Sequence, residues 1–313
     1  MRGARAFITL TIALILLAAF SYALYRIVVA ATQYSSSPLS PQVGQTLFAG
    51  LAFLELIIIS AITPAITSGA ISSEKERLTY EMLLATPLPS VHILWGKLIT
   101  ALSYIFLIVF AAIPLASLVF IFGGVTGRDM VKGLIVLIIV TVMYGVIGLF
   151  SSTVLGSTSR ATVTTYLIVI LMLFGPIFIS IAAGIIHQSD PPRWILIPSP
   201  ISALASALSP SANPQNISSI FWMLGSPASW IWGTPSISLT SIPRPLYHYS
   251  LPLFGCITLL FYLLSTHMVK PSRRWQIHWP EVLVISIVII GFVGLIALAF
   301  LSSANRYEYF LIK

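Results

Sequence analysis

Charge is what this chain has least of. Only 8% of its 313 residues are Asp, Glu, Lys or Arg, against roughly 25% in an ordinary soluble domain, while 58% are hydrophobic. That balance excludes a soluble globular fold. A bilayer core about 30 Å thick takes about 20 apolar residues per helical crossing, and several segments here reach that length. Cysteine is almost missing as well. Cys256 stands alone inside an apolar stretch, which excludes a disulfide framework and a thiolate metal cluster and reads as a packing residue. The excess of basic over acidic residues forms no basic face. It is scattered through short loops, as positive-inside topology predicts, so nucleic acid is not an expected partner.

Enzymatic motifs are lacking too. No GxxxxGKS/T phosphate loop is present, so the chain does not bind ATP in that way. There is no HExxH, and His92, His187, His248, His267 and His278 lack metal-ligand spacing. No GxSxG elbow marks a serine hydrolase, and no internal repeat suggests an inverted-repeat transporter. These absences predict a chain that is not an enzyme and carries no cofactor of its own.

What is present is an all-α, polytopic pattern of six to seven transmembrane helices in a single membrane domain, residues 1–313. The spans are expected at about 7–31, 46–72, 91–122, 131–152, 161–186, 251–269 and 282–301. The first follows Arg2 and Arg5 and is too long for a cleaved signal core. With the N-terminus cytoplasmic, nine basic residues fall inside, among them the cluster Lys270, Arg273 and Arg274. Pro64 is expected to kink the second span. Gly123, Gly124 and Gly127 predict a short external turn around Arg128 and Asp129. Residues 187–250 hold too many prolines for one helix and read as an extracytoplasmic loop. Two apolar pieces within it, 195–208 and 217–232, predict short interfacial or re-entrant helices.

Two features carry functional weight. Glu55 is a carboxylate within the second span, where an ionised group costs several kcal/mol unless it meets a neighbouring helix, water or a transported ion. It is a candidate pathway residue. The second feature is the stretch from Ser73 to Lys97, where Glu74, Lys75, Glu76, Arg77 and Glu81 gather five of the 24 charged side chains. A serine cap at Ser72 or Ser73, acidic residues in the first turn and Pro87 and Pro89 beyond predict a short surface helix, with Leu78 and Met82 on one face.

The run SSEKERLTYEMLLATPLPSVHILWGKLI resembles the signature of the ABC-2 type permeases, the membrane subunits of one class of ATP-binding cassette exporters. The pattern falls on Glu74, Glu76, Arg77, Thr79, Glu81, Leu83, Leu84, Thr86, Pro87, Gly96 and Lys97. Leu78 departs from it, standing where the family usually has glycine. The resemblance implies that residues 73–90 form a cytoplasmic coupling helix between spans two and three. Glu74, Lys75, Glu76, Arg77, Leu78, Thr79, Glu81, Leu83, Leu84 and Pro87 would face a separate ATPase subunit that carries ATP and Mg. Gly96 and Lys97 would anchor the next span at the headgroups. A second permease copy, or a related permease, would complete the complex in the cell membrane. Two other readings remain: an ion-coupled secondary transporter using Glu55, and a membrane scaffold that transports nothing.

Overall fold

The structure is a computed structural model that describes residues 3–32, 41–80, 82, 90–187, 193–208 and 246–269. Eight α-helices are described: α1 (Gly3–Thr32), α2 (Pro41–Thr67), α3 (Ser72–Glu76), α4 (Ser90–Ser117), α5 (Gly127–Val154), α6 (Thr158–His187), α7 (Pro200–Leu208) and α8 (Tyr247–Met268). Short 3-10 turns at Leu118–Ile121 and Arg193–Leu196 follow α4 and precede α7. Among the described residues there is no strand, and six helices are long and apolar enough to cross a membrane. The chain is an all-α polytopic membrane protein. The expected seventh span, the basic cluster at 270–274 and the piece at 217–232 lie outside the described residues.

Helix α5 is the centre of the bundle. It is apolar on every side, which suits a helix surrounded by others, and it touches α2, α4, α6, α7 and α8. Met143, Tyr144, Ile147 and Leu149 are fully buried along it. Helix α2 runs beside it, and Gly148 makes their close approach: a Cβ there would stand 1.9 Å from Thr67 Oγ1. Small residues permit such contacts between membrane helices, where no hydrophobic force separates protein from lipid. By contrast α1 leaves Phe7, Ile8, Ile12 and Ile15 exposed and α6 leaves Leu167, Leu171 and Phe178 exposed, as lipid-facing helices do.

Three local features of the sequence are visible in the fold. Helix α2 continues through Pro64 and ends three residues later, with Ser68 N–H donating to the Pro64 carbonyl at 3.1 Å. Gly123 and Gly124 do turn the chain, with φ of 77° and 79°, but Arg128 and Asp129 already belong to the first turn of α5. There Asp129 and Thr126 form a capping box that satisfies the helix N-terminus. Asp129 also pairs with Lys132 at 3.2 Å. Helix α7 is only nine residues, about 14 Å, too short to cross. Its Ala203, Leu204 and Ala207 are buried against α2, α5 and α8, so α7 packs inside the bundle, as the re-entrant alternative expects and the interfacial one does not. Ser206 Oγ accepts from Tyr247 N–H at 2.9 Å and ties α7 to the start of α8.

Candidate functional site

The charged stretch lies where α2 and α5 end and α4 and α6 begin. A turn at 68–71 leads from α2 into α3, whose N-terminus is buried: Ile71 and Ser72 are both 0% exposed. Their backbone N–H groups need acceptors. The expected serine cap is not what supplies them. Ser72 Oγ and Ser73 Oγ instead donate backwards, to the Ser68 and Gly69 carbonyls, and no side chain of the α3 N-cap bonds to the helix. The acceptor comes from another span. Ser152 Oγ, near the end of α5, takes the N–H groups of Ile71 and Ser72, each at 2.8 Å.

The acidic side chains complete the attachment. Glu76 caps the next span, its Oε1 accepting from Thr158 N–H at 2.7 Å and its Oε2 from the Thr158 hydroxyl at 2.9 Å. These bonds, the backbone one first, hold its carboxyl below the ordinary range. Glu74 accepts from the Thr79 hydroxyl and pairs with Lys97 Nζ at 2.9 Å, which together lower its carboxyl. Both groups are therefore ionised at neutral pH. Lys75 Nζ donates to the Thr153 carbonyl and lies 5.4 Å from the Tyr80 ring, whose hydroxyl donates to the Val269 carbonyl at 2.6 Å. Helix α3 is thus tied to α4, α5 and α6, and the segment after it to the end of α8.

Helix α3 is also shorter than its charge pattern predicts. It stops at Glu76, and Leu78 takes φ 59°. Leu78 N–H donates to the Lys75 carbonyl and Thr79 N–H to the Glu74 carbonyl, at 3.2 and 3.1 Å, the two bonds of a Schellman ending. Leu78 and Met82 consequently do not share a helical face; both are exposed, at 86% and 74%. The left-handed region costs a residue with a Cβ roughly 1–2 kcal/mol. Leu78→Gly is therefore expected to stabilise the protein by up to about 1 kcal/mol, after allowing for the entropy glycine loses. Thermal unfolding in detergent would show a small rise in Tm; a fall would show that the exposed side chain contributes to the fold.

The expected site residues divide accordingly. Glu74, Lys75, Glu76, Thr79 and Lys97 are brought together, with Lys97 paired to Glu74. Arg77 and Leu78 are exposed beside them. Gly96 is exposed on α4, where an added Cβ would meet nothing within 4 Å. Glu81, Leu83, Leu84 and Pro87 lie outside the described residues. Glu55 is remote from this cluster, buried on α2. Ser152, Thr153 and Thr158 are the residues that sequence reasoning missed. Their one signal is the density of Ser and Thr in the stretch SSTVLGSTSR, where an apolar helix ends.

No protein-family model matches this chain, nor does any curated protein or solved structure. Fold and site together define a multi-pass membrane protein with a short charged helix fastened across the ends of its central spans.

Proposed function

We propose that the chain is the permease subunit of an ATP-binding cassette exporter, and that α3 with the segment after it is the coupling element for an ATPase supplied by another chain. The observation that carries this reading is the three-way attachment of α3: to α5 through Ser152, to α6 through Glu76 and Thr158, and to α4 through Glu74 and Lys97. A force on α3 would reach α4 and α6 through charge-assisted hydrogen bonds, the stronger kind, and α5 through one hydroxyl oxygen that takes two buried backbone N–H groups. Arg77 and Leu78 project free of these bonds, where a partner could grip them. Further support comes from Leu78, which adopts the left-handed conformation at the position where the ABC-2 type pattern has glycine.

On this reading α3 and the N-terminus are cytoplasmic and the protein sits in the cell membrane. ATP and Mg bind the partner, and a second permease copy or a related permease completes the substrate pathway. Closure of the ATPase pair would push α3 and tilt α4, α5 and α6 together. The test is purification of the intact chain from its own membranes with the associated proteins identified. An ATPase subunit is expected to accompany the parent chain. Arg77→Glu is expected to leave the chain folded and to weaken that association about tenfold, as loss of one charge-assisted contact would. A parent chain that brings no ATPase, or an Arg77→Glu chain that keeps full association and ATPase stimulation, would sink the proposal.

A further inference from the structure

A cavity of ≈ 30 Å³ lies between α1, α2, α4 and α5, large enough for about two water molecules. Its walls from α1, α4 and α5 are apolar, with Leu17, Val109 and Leu137 among them, and among the described residues Glu55 is its one ionisable lining residue. Glu55 is only 8% exposed, and its Oε1 is buried with no hydrogen-bond partner among the described residues. A buried polar oxygen of this kind requires water or a bound ligand, since leaving it unpaired costs about 1–3 kcal/mol.

The size and chemistry of the cavity choose the ligand. A bare metal cation such as calcium takes about six oxygen ligands, and the cavity offers a single carboxyl group among hydrocarbon walls. An organic ammonium ion of several heavy atoms exceeds the space of about two waters. A proton fits, because it needs one oxygen and a water to deliver it. The charged groups closest along the lining segments, Asp129 and Lys132 at the start of α5, pair with each other. Two further buried hydroxyls without a partner among the described residues, Thr63 on α2 and Tyr144 on α5, lie outside this cavity, one turn before the contact of Thr67 with Gly148.

We infer that Glu55 is a proton-binding site inside the helix bundle, served by water held in this cavity. In the binding step a hydronium ion gives its proton to the carboxylate, an O–H bond forms on Glu55, and a water molecule remains. This inference goes beyond the proposed ATPase coupling and does not depend on it.

Infrared difference spectra of the purified chain in lipid nanodiscs, recorded between about pH 4 and about pH 10, test it without reference to transport. The expected result is a carboxylic-acid carbonyl component that appears on acidification, shifts in heavy water and, alone among the carboxyl bands, is lost in Glu55→Gln. Replacing sodium by potassium is expected to leave it unchanged. Where Glu55→Gln fails to fold, Glu55→Asp keeps a carboxyl group one methylene shorter and is expected to move the band. A difference spectrum unaltered by either variant would overturn the inference, and so would a band that follows sodium instead of pH.

Discussion

Ser152→Ala is expected to release α3 from the bundle and to lower stability by about 3 kcal/mol. One hydroxyl oxygen accepts the N–H groups of both Ile71 and Ser72, and all three residues are fully buried. Removing it leaves two buried donors unpaired at about 1–3 kcal/mol each, partly relieved if water enters. Neither hydroxyl of α3 is placed to replace the lost acceptor, since Ser72 Oγ and Ser73 Oγ are turned toward the carbonyls of the preceding turn, to which they donate. Unfolding in mild detergent would give the stability loss. Hydrogen exchange would locate it, with the amides of Ile71 and Ser72 exchanging faster while those in the middle of α5 keep their protection. Unchanged exchange at these two amides would show that the side chains of Glu74, Lys75 and Glu76 suffice to hold α3. If α3 is the coupling element, the same variant should also lose ATPase stimulation.

Gly148→Leu is expected to cost about 3 kcal/mol, or to prevent recovery of a monodisperse protein. An added Cβ would stand 1.9 Å from Thr67 Oγ1, 2.9 Å from Thr67 Cβ and 3.3 Å from the Ser68 nitrogen. The first contact cannot be eased by a simple rotation, because Thr67 Oγ1 is bonded to the Thr63 carbonyl at 2.8 Å and the next atoms are close behind. Helices α2 and α5 would have to separate, and overpacking of this kind costs about 1–3 kcal/mol. The separation would also draw Ser152, one turn along α5, away from Ile71. Gly148→Ala should have the same sign and a smaller size. Because the clash is with the Thr67 side chain, Thr67→Ala should recover part of the Gly148→Ala loss, a coupling that a double-mutant cycle measures. A Gly148→Leu protein as stable as its parent would show that α2 and α5 do not pack this closely.

Hydropathy places the spans well because each must present about 20 apolar residues whatever its neighbours do. The expected starts of the first six therefore fall a few residues inside α1, α2, α4, α5, α6 and α8, while the expected ends of the second and third run five residues past α2 and α4, across the turn before α3 and the 3-10 turn after α4. The charge cluster was equally visible, since burying so many ionised groups in lipid is prohibitive. Its internal assignment was not legible. A serine ahead of two acidic residues predicts a local cap, yet these serines bond backwards and a serine about 80 positions away does the capping. Glu76 reads as free for a partner, yet it caps α6. Such pairings depend on which helix ends meet, and helical periodicity carries no information about that.

From sequence alone follow the membrane class, the order of spans, the isolated carboxylate at Glu55 and the charged stretch after the second span. Each depends on the cost of placing a given residue in lipid or water, which needs no knowledge of neighbours. Tertiary structure alone decides that α5 is central, that α7 enters the bundle, that Glu55 faces a small cavity and that Ser152 and Thr158 bind α3. Each of those depends on which residues, distant in sequence, are brought within hydrogen-bond or van der Waals reach of one another.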